Sequence, residues 1–299
     1  MNVAPGKWLY LNYTPNSRMK EAVCQLHNAV QFIALAGKHL IPEKPDDSHT
    51  NMTWDNESLS FIGNLIEAPR PFRFLLNSRN LKLVMVNGNG REISSLHLPG
   101  VTKGFAFAWL REQVSSMGID PRKVKNEMHY TIPEHAIQDC GNFRISDPEA
   151  FRELARHRSN TNLILKSIAG KFKDRSPITV WPHHFDTGLV INVVRDYQRQ
   201  LKKSIGLGYS IQDKTSDEPY FYMNIWSAED DIEMKDLLTL EKGNWITEEW
   251  KGAILKIGDL VGMETPGEQV RATTRFFTEV INKGLDLSGE KPVLNNTPG

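Results

Sequence analysis

Cysteine is scarce: Cys24 and Cys140 are the chain's two, far apart and in no CxxC pair. That excludes a disulfide framework and a zinc finger. Neither sign of charge is in excess, with 36 lysines and arginines against 36 aspartates and glutamates. No overall field draws nucleic acid or an anionic membrane, and neither is expected as a partner. The one basic run, Arg195 to Lys203, reads as a solvated helix or loop face rather than a phosphate site. The longest apolar run, Ala29 to Ala36 with Gln31 inside it, is too short to span a bilayer. The start MNVAPGKWLYLNY lacks the charged head and long apolar core of a secretory signal. The glycosylation sequons at Asn12, Asn51 and Asn56 are then chance matches, and a cytoplasmic location is expected. No P-loop, HExxH, GxSxG or EF-hand pattern occurs, and no serine sits in a nucleophile elbow. Gly206-Leu-Gly208 lacks the third glycine of a dinucleotide site and reads as a turn.

What is present centres on Ser176 to Val194, SPITVWPHHFDTGLVINVV. Read as extended from Val180 to Val193, its alternate residues point to opposite faces. Trp181, His183, Phe185, Leu189, Ile191 and Val193 then share a core face, and His184, Asp186, Gly188 and Asn192 share a polar one. Two histidines and an aspartate this close together make the segment the first place to look for chemistry.

At 299 residues the chain can hold two ordinary domains or one large duplicated one. Residues 1–17 read as an irregular lead-in anchored by Trp8 and Tyr10. A helical stripe of Met19, Val23, Leu26, Val30, Ile33 and Leu40 follows, ended by Gly37. Strands are expected around His49 to Gly63, at Phe72 to Leu76 and at Leu81 to Val86. Asn87-Gly-Asn-Gly90 is a hairpin turn, since both residue types tolerate positive φ. A helix from Thr102 to Met117 buries Phe105, Trp109, Leu110, Val114 and Met117. Residues 118–145 connect, with one strand around Met128 to Ile132. Ser146-Asp-Pro-Glu149 is a capping box opening a helix to about Ser167, with a Ser-Asn-Thr interruption. Strands at Leu207 to Ile211 and Tyr220 to Trp226, an amphipathic piece from Thr247 to Leu260 and a helix from Pro266 to Lys283 complete the chain. The tail, 285–299, is expected to fray.

Helix, Ala-Gly-Lys, a strand with Trp or Phe before Asp, hairpin strands, Pro-Gly and helix occur twice in that order. The expected fold is therefore α+β. Residues 18–117 and 146–284 would be two copies of one unit, with antiparallel sheets flanked by long helices in a pseudo-twofold arrangement. A ligand pocket would lie between the halves.

These motifs resemble a family of uncharacterised bacterial proteins that share a domain of unknown function. The features that carry the resemblance are Leu26-His27 with Gly37-Lys38, His49 to Trp54, Gly170-Lys171 with Ser176-Pro177, Trp181 with Phe185-Asp186, Gly208-Tyr209-Ser210 and Pro219 to Tyr222. The similarity covers roughly residues 18–230. This chain has Thr179 where many members carry a histidine two residues after Ser-Pro. The resemblance implies the architecture and carries no activity with it.

His184 and Asp186, on one strand face about 6–7 Å apart, suit a metal site or a His-carboxylate acid/base pair. With their counterparts His49 and Asp55 they form a mixed nitrogen and oxygen set of the kind divalent transition metals favour. The alternative is a hydrogen-bonded polar pair beside a core His183. Tyr220, Tyr222, Asn224 and Trp226 share a face that suits either the wall of a small-molecule pocket or a sheet face covered by a helix. The first expectation is small-molecule binding by His49, His184, Asp186, Tyr220, Tyr222 and Trp226, with no cofactor required. A metal-assisted hydrolase using His49, His184 and Asp186 is the second, a divalent metal being its cofactor. A protein-interaction module is the third.

Overall fold

The computed structural model describes residues 7–138, 141–229, 232–248 and 250–289, so Cys140 and most of the tail lie outside the described residues. The chain divides into two compact units. The amino-side unit holds Thr14–Ala155 and returns for Thr179–Phe185; the carboxyl-side unit holds 7–13, Arg156–Ile178 and 186–289. Helices and antiparallel sheet make up both, so the class is α+β. No helix of the described residues is long and apolar enough to cross a membrane.

The amino-side unit opens with helix α1 (Asn16–Leu40). Its middle is buried all round, from Ala22 and Val23 through Gly37 with Cys24 as the one half-buried exception, so it behaves as a core helix rather than a surface amphipath. Gly37 does not end it. A Cβ at Gly37 would meet the carbonyl oxygen of His49 at 2.4 Å, so glycine is there because another backbone passes against the helix. Strands β1 (Met52–Asp55), β2 (Ser60–Gly63), β3 (Phe72–Asn77), β4 (Lys82–Asn87) and β5 (Glu92–His97) form an antiparallel meander. Strand β6 (Thr179–Trp181) pairs with β1 through Val180 and Met52. The Asn87–Gly90 hairpin forms as expected, with Gly90 at φ 80°. Helix α2 (Lys103–Ser116) is capped by Thr102, whose hydroxyl accepts the amide of Phe105 at 3.2 Å. It buries Ala106, Leu110, Gln113 and Val114, while Phe105, expected inside, is 61% exposed.

Helix α3 (Pro148–Ala169) runs unbroken through Ser159-Asn160-Thr161. The interruption expected there is absent because these polar side chains are buried and partnered, not competing for the backbone. At its start Asp147, rather than Ser146, accepts the Glu149 amide at 3.0 Å, and Pro148 takes the first helical position.

In the carboxyl-side unit, β7 (Asp186–Arg195), β8 (Leu201–Ser210), β9 (Tyr220–Ser227), β10 (Asn244–Ile246) and β11 (Gly252–Lys256) form an antiparallel sheet ordered β7-β8-β9-β11-β10. The basic run thus forms the end of β7, a turn and the start of β8. Gly206 and Gly208 lie inside β8 rather than in a turn. A short helix α4 (Gly258–Val261) precedes α5 (Pro266–Ser288), where Thr265 and Glu268 make a true capping box. One sheet face presents Leu189, Ile191, Ile205, Leu207, Tyr209, Phe221, Met223 and Leu255 to Val270, Phe276, Phe277 and Val280 of α5. Each such side chain contributes about 1.5–3 kcal/mol on burial.

Candidate functional site

The segment that stood out in the sequence is not one strand. Strand β6 ends at Trp181, a turn runs through Pro182 to Phe185, and β7 starts at Asp186. Phe185 takes φ 54°, a left-handed conformation that a bulky residue rarely adopts. It is held there by packing: its ring stacks on His27 at 5.1 Å and 9° and lies 5.3 Å from Phe61. The alternation assumed for His184 and Asp186 therefore does not exist. His184 sits in the turn and is exposed.

The turn is built onto α1 by buried polar groups. The Pro182 carbonyl accepts from His27 Nε2 at 2.8 Å and from Gln31 Nε2 at 3.0 Å. A carbonyl only accepts, so the His27 proton is on Nε2. The second hydrogen of the Gln31 amide goes to the His27 carbonyl at 3.0 Å, and Gln31 Oε1 accepts the Tyr130 hydroxyl at 2.8 Å. Tyr130 in turn lies 5.7 Å from His183. Segment Met128–Ile132, expected as a strand, is irregular because its groups bond to α1: Lys38 Nζ also donates to the Glu127 carbonyl at 2.9 Å.

In front of this wall lies a cleft of about 220 Å³, lined by Gln31, Leu35, Lys103, Tyr130, Thr131 and Gln138 among others. Lys103 is half-buried in the first turn of α2, where a cation opposes the helix dipole instead of complementing it. Burial holds its ammonium below the ordinary lysine value, and among the described residues no carboxylate pairs with it. Burial, with the charge of Asp47 adding, pushes the Tyr130 phenol well above its ordinary value. Beside the cleft, Asp47 Oδ2 lies 2.6 Å from His129 Nε2, and Asp47 Oδ1 lies 3.8 Å from His49 Nδ1.

A second polar cluster is buried in the carboxyl-side unit. Arg158 Nη1 donates to Thr187 Oγ1 at 2.6 Å, and its guanidinium stands 5.1 Å from the centre of the Tyr209 ring. His157 Nδ1 and the Tyr209 hydroxyl are 2.9 Å apart. Tyr222 donates to Asp186 Oδ2 at 2.8 Å, crossing a strip of β8 kept bare by Gly208, where a Cβ would meet the tyrosine hydroxyl at 2.6 Å. Desolvation lowers the Arg158 value and, with the charge of Asp186, raises that of Tyr222.

The chain matches no protein-family model, no curated protein and no solved structure.

Of the residues singled out in the sequence, Asp186 and Tyr222 share a hydrogen bond, and the Tyr220 ring lies 6.5 Å from that of Tyr222. Among the described residues no three His, Cys, Asp or Glu side chains gather as a metal-holding group, so the set His49, Asp55, His184 and Asp186 is not assembled. His49 is buried and its Nδ1 accepts the Lys44 amide at 3.3 Å. Asp55 is occupied in a turn, accepting the Ser58 amide at 2.8 Å and hydroxyl at 2.6 Å. Tyr220 donates to Asp213 Oδ2 at 2.8 Å, and Trp226 is 44% exposed at its strand end. The residues missed were Lys103 and Arg158. A lysine directly after a helix-capping threonine, and a glutamine inside the chain's longest apolar run, were the signals available.

Proposed function

We propose that the protein binds a small polar molecule in the amino-side cleft, without requiring a metal. The observation that supports this is the division of labour around the cavity. Its wall residues Gln31 and Tyr130 are fully committed to internal hydrogen bonds, Gln31 also holding the Pro182 carbonyl, and so are rigid. Lys103, Asn126 and Thr131 line the same cavity, and among the described residues their side chains make no hydrogen bond to protein. A pre-formed apolar-and-polar concavity with a few uncommitted groups is what ligand sites present. At about 220 Å³ the cleft is smaller than the roughly 300–1,000 Å³ typical of drug-sized ligands, so the ligand is small.

The test is a thermal-shift screen of polar metabolites on the native protein and on Thr131→Trp, an exposed rim position where a large ring fills the cavity without disturbing the core. A binder raises the melting temperature of the native protein, about 2.7 kcal/mol being added at a hundredfold excess over Kd. Thr131→Trp should melt as the native protein does without ligand and lose the shift. Ligands that stabilise both proteins equally would place the site elsewhere.

We also read the two units as copies of one ancestral αβ unit. Each follows a long helix with an antiparallel sheet and a closing helix, although β10 and β11 break the simple meander in the second. Superposition of α1 to α2 on α3 to α5 with matching strand order tests that reading. The resemblance carried by Gly37-Lys38, Ser176-Pro177, Trp181 and Phe185-Asp186 is in keeping with it.

A further inference from the structure

Charge balance in the cleft goes one step beyond its existence, and the step rests on the binding reading just given. The donors of the wall are spent: both amide hydrogens of Gln31 go to carbonyls, the Tyr130 hydroxyl goes to Gln31, and Gln138 Nε2 donates to Asn28 Oδ1 at 3.4 Å and to the Pro133 carbonyl at 3.3 Å. Among the described residues Glu127 is the one acid lining the cavity, and it is exposed and lies 3.6 Å from Lys125. What remains is a single ammonium, half out of water, with no counter-charge among the described residues, flanked by the uncommitted hydroxyl of Thr131 and amide of Asn126.

From this geometry we infer that the ligand is a small organic acid whose carboxylate is held by Lys103, with Thr131 and Asn126 as neutral donors. One anionic oxygen pair would supply the missing counter-charge and complete the hydrogen bonding of all three groups. A single carboxylate matches the single cation. A phosphate dianion would leave a net negative charge in a half-desolvated cavity that has no second base to meet it. The apolar side of the cleft, Leu35, Met128 and Ile132, takes a short carbon skeleton.

The test is calorimetric titration of the native protein, Lys103→Met and Thr131→Trp with short mono- and dicarboxylic acids, their primary amides, and inorganic phosphate. Lys103→Met keeps the stem of the side chain and removes a poorly solvated charge, so it should fold. The native protein should bind at least one of the acids, with the matching amide weaker by about tenfold or more, as expected for loss of a charge-assisted contact. Lys103→Met should lose the same factor for the acid and none for the amide, and its binding should become insensitive to salt. If the amide binds as well as the acid, or Lys103→Met leaves acid binding intact while Thr131→Trp abolishes it, the anion is wrong and the cleft stands. Phosphate binding more tightly than every acid would also overturn the class. Acid binding unchanged in Thr131→Trp, or no binding by any probe, would remove the cleft itself.

Discussion

Single side chains in this protein are used to satisfy backbone as often as to pack. Gln269 shows it best: its Oε1 accepts the Leu11 amide at 2.9 Å and the Trp8 indole at 3.3 Å, while its Nε2 donates to the carbonyls of Leu11 and Leu260 at 3.0 and 3.2 Å. Asn160 does the same for Leu9, at 2.9 and 2.7 Å. Two amides thus stand in for a neighbouring strand and anchor the lead-in. Gln269→Ala should cost about 1–3 kcal/mol in chemical denaturation, because buried donors and acceptors lose their partners. Unchanged stability would mean that water replaces the amide. Lys103 behaves in the opposite sense. Its folded-state value lies below the ordinary 10.5, so the unfolded chain holds this proton more tightly. The charge is therefore penalised in full below the depressed value, and the penalty vanishes as pH rises past 10.5. Lys103→Met should melt higher than the native protein at pH 7, and the gap should close near pH 11. A gap that widens with pH would contradict the burial of this ammonium. Sequence showed Trp8 and Tyr10 as anchors but not the amides that hold the chain there, because those partners stand more than a hundred positions away.

At the scale of elements, periodicity and turn chemistry located α1, α2, α3, α5, strands β3 and β4 and the Asn87–Gly90 hairpin turn, since these depend on residues a few positions apart. It failed where tertiary contacts override local pattern. The Trp181–Asp186 alternation is interrupted by a turn that Phe185 holds by stacking on His27, and the Met128–Ile132 segment bonds to α1 instead of a ladder. Glycine was misread twice for one reason. Gly37 sits within α1 and Gly208 within β8, both because a Cβ would strike backbone, at 2.4 Å from the His49 oxygen and 2.3 Å from the Thr187 oxygen respectively. Neither backbone can swing aside, so Gly37→Ala and Gly208→Ala should each destabilise by about 1–3 kcal/mol or more. Urea melts would show it as a lower midpoint at unchanged slope; a midpoint equal to that of the native protein would mean that the strands yield.

For the molecule as a whole, the 36 basic and 36 acidic side chains balance, so no net charge steers a partner and recognition falls to local chemistry. Of the candidate chemistry, the Pro182 to Asp186 stretch was legible as a polar cluster but its geometry was not: the Pro182 carbonyl bonds to α1, His184 is exposed and Asp186 pairs with Tyr222. Lys103 does not stand out in the sequence, as its lack of a counter-charge among the described residues exists only once residues 31, 103 and 126–138 are folded together. Hydrogen exchange with a bound organic acid should slow most around 31–35, 103–106 and 126–132. Protection centred on β7 to β9 would instead favour the Asp186–Tyr222 cluster.

The most direct measurement is a crystal structure of the protein soaked with the tightest-binding short carboxylic acid. Density is expected in the amino-side cleft, with a carboxylate oxygen about 2.7–2.9 Å from Lys103 Nζ and the carbon chain against Leu35 and Met128. An empty cleft, with the acid bound at any other place on the protein, would contradict it.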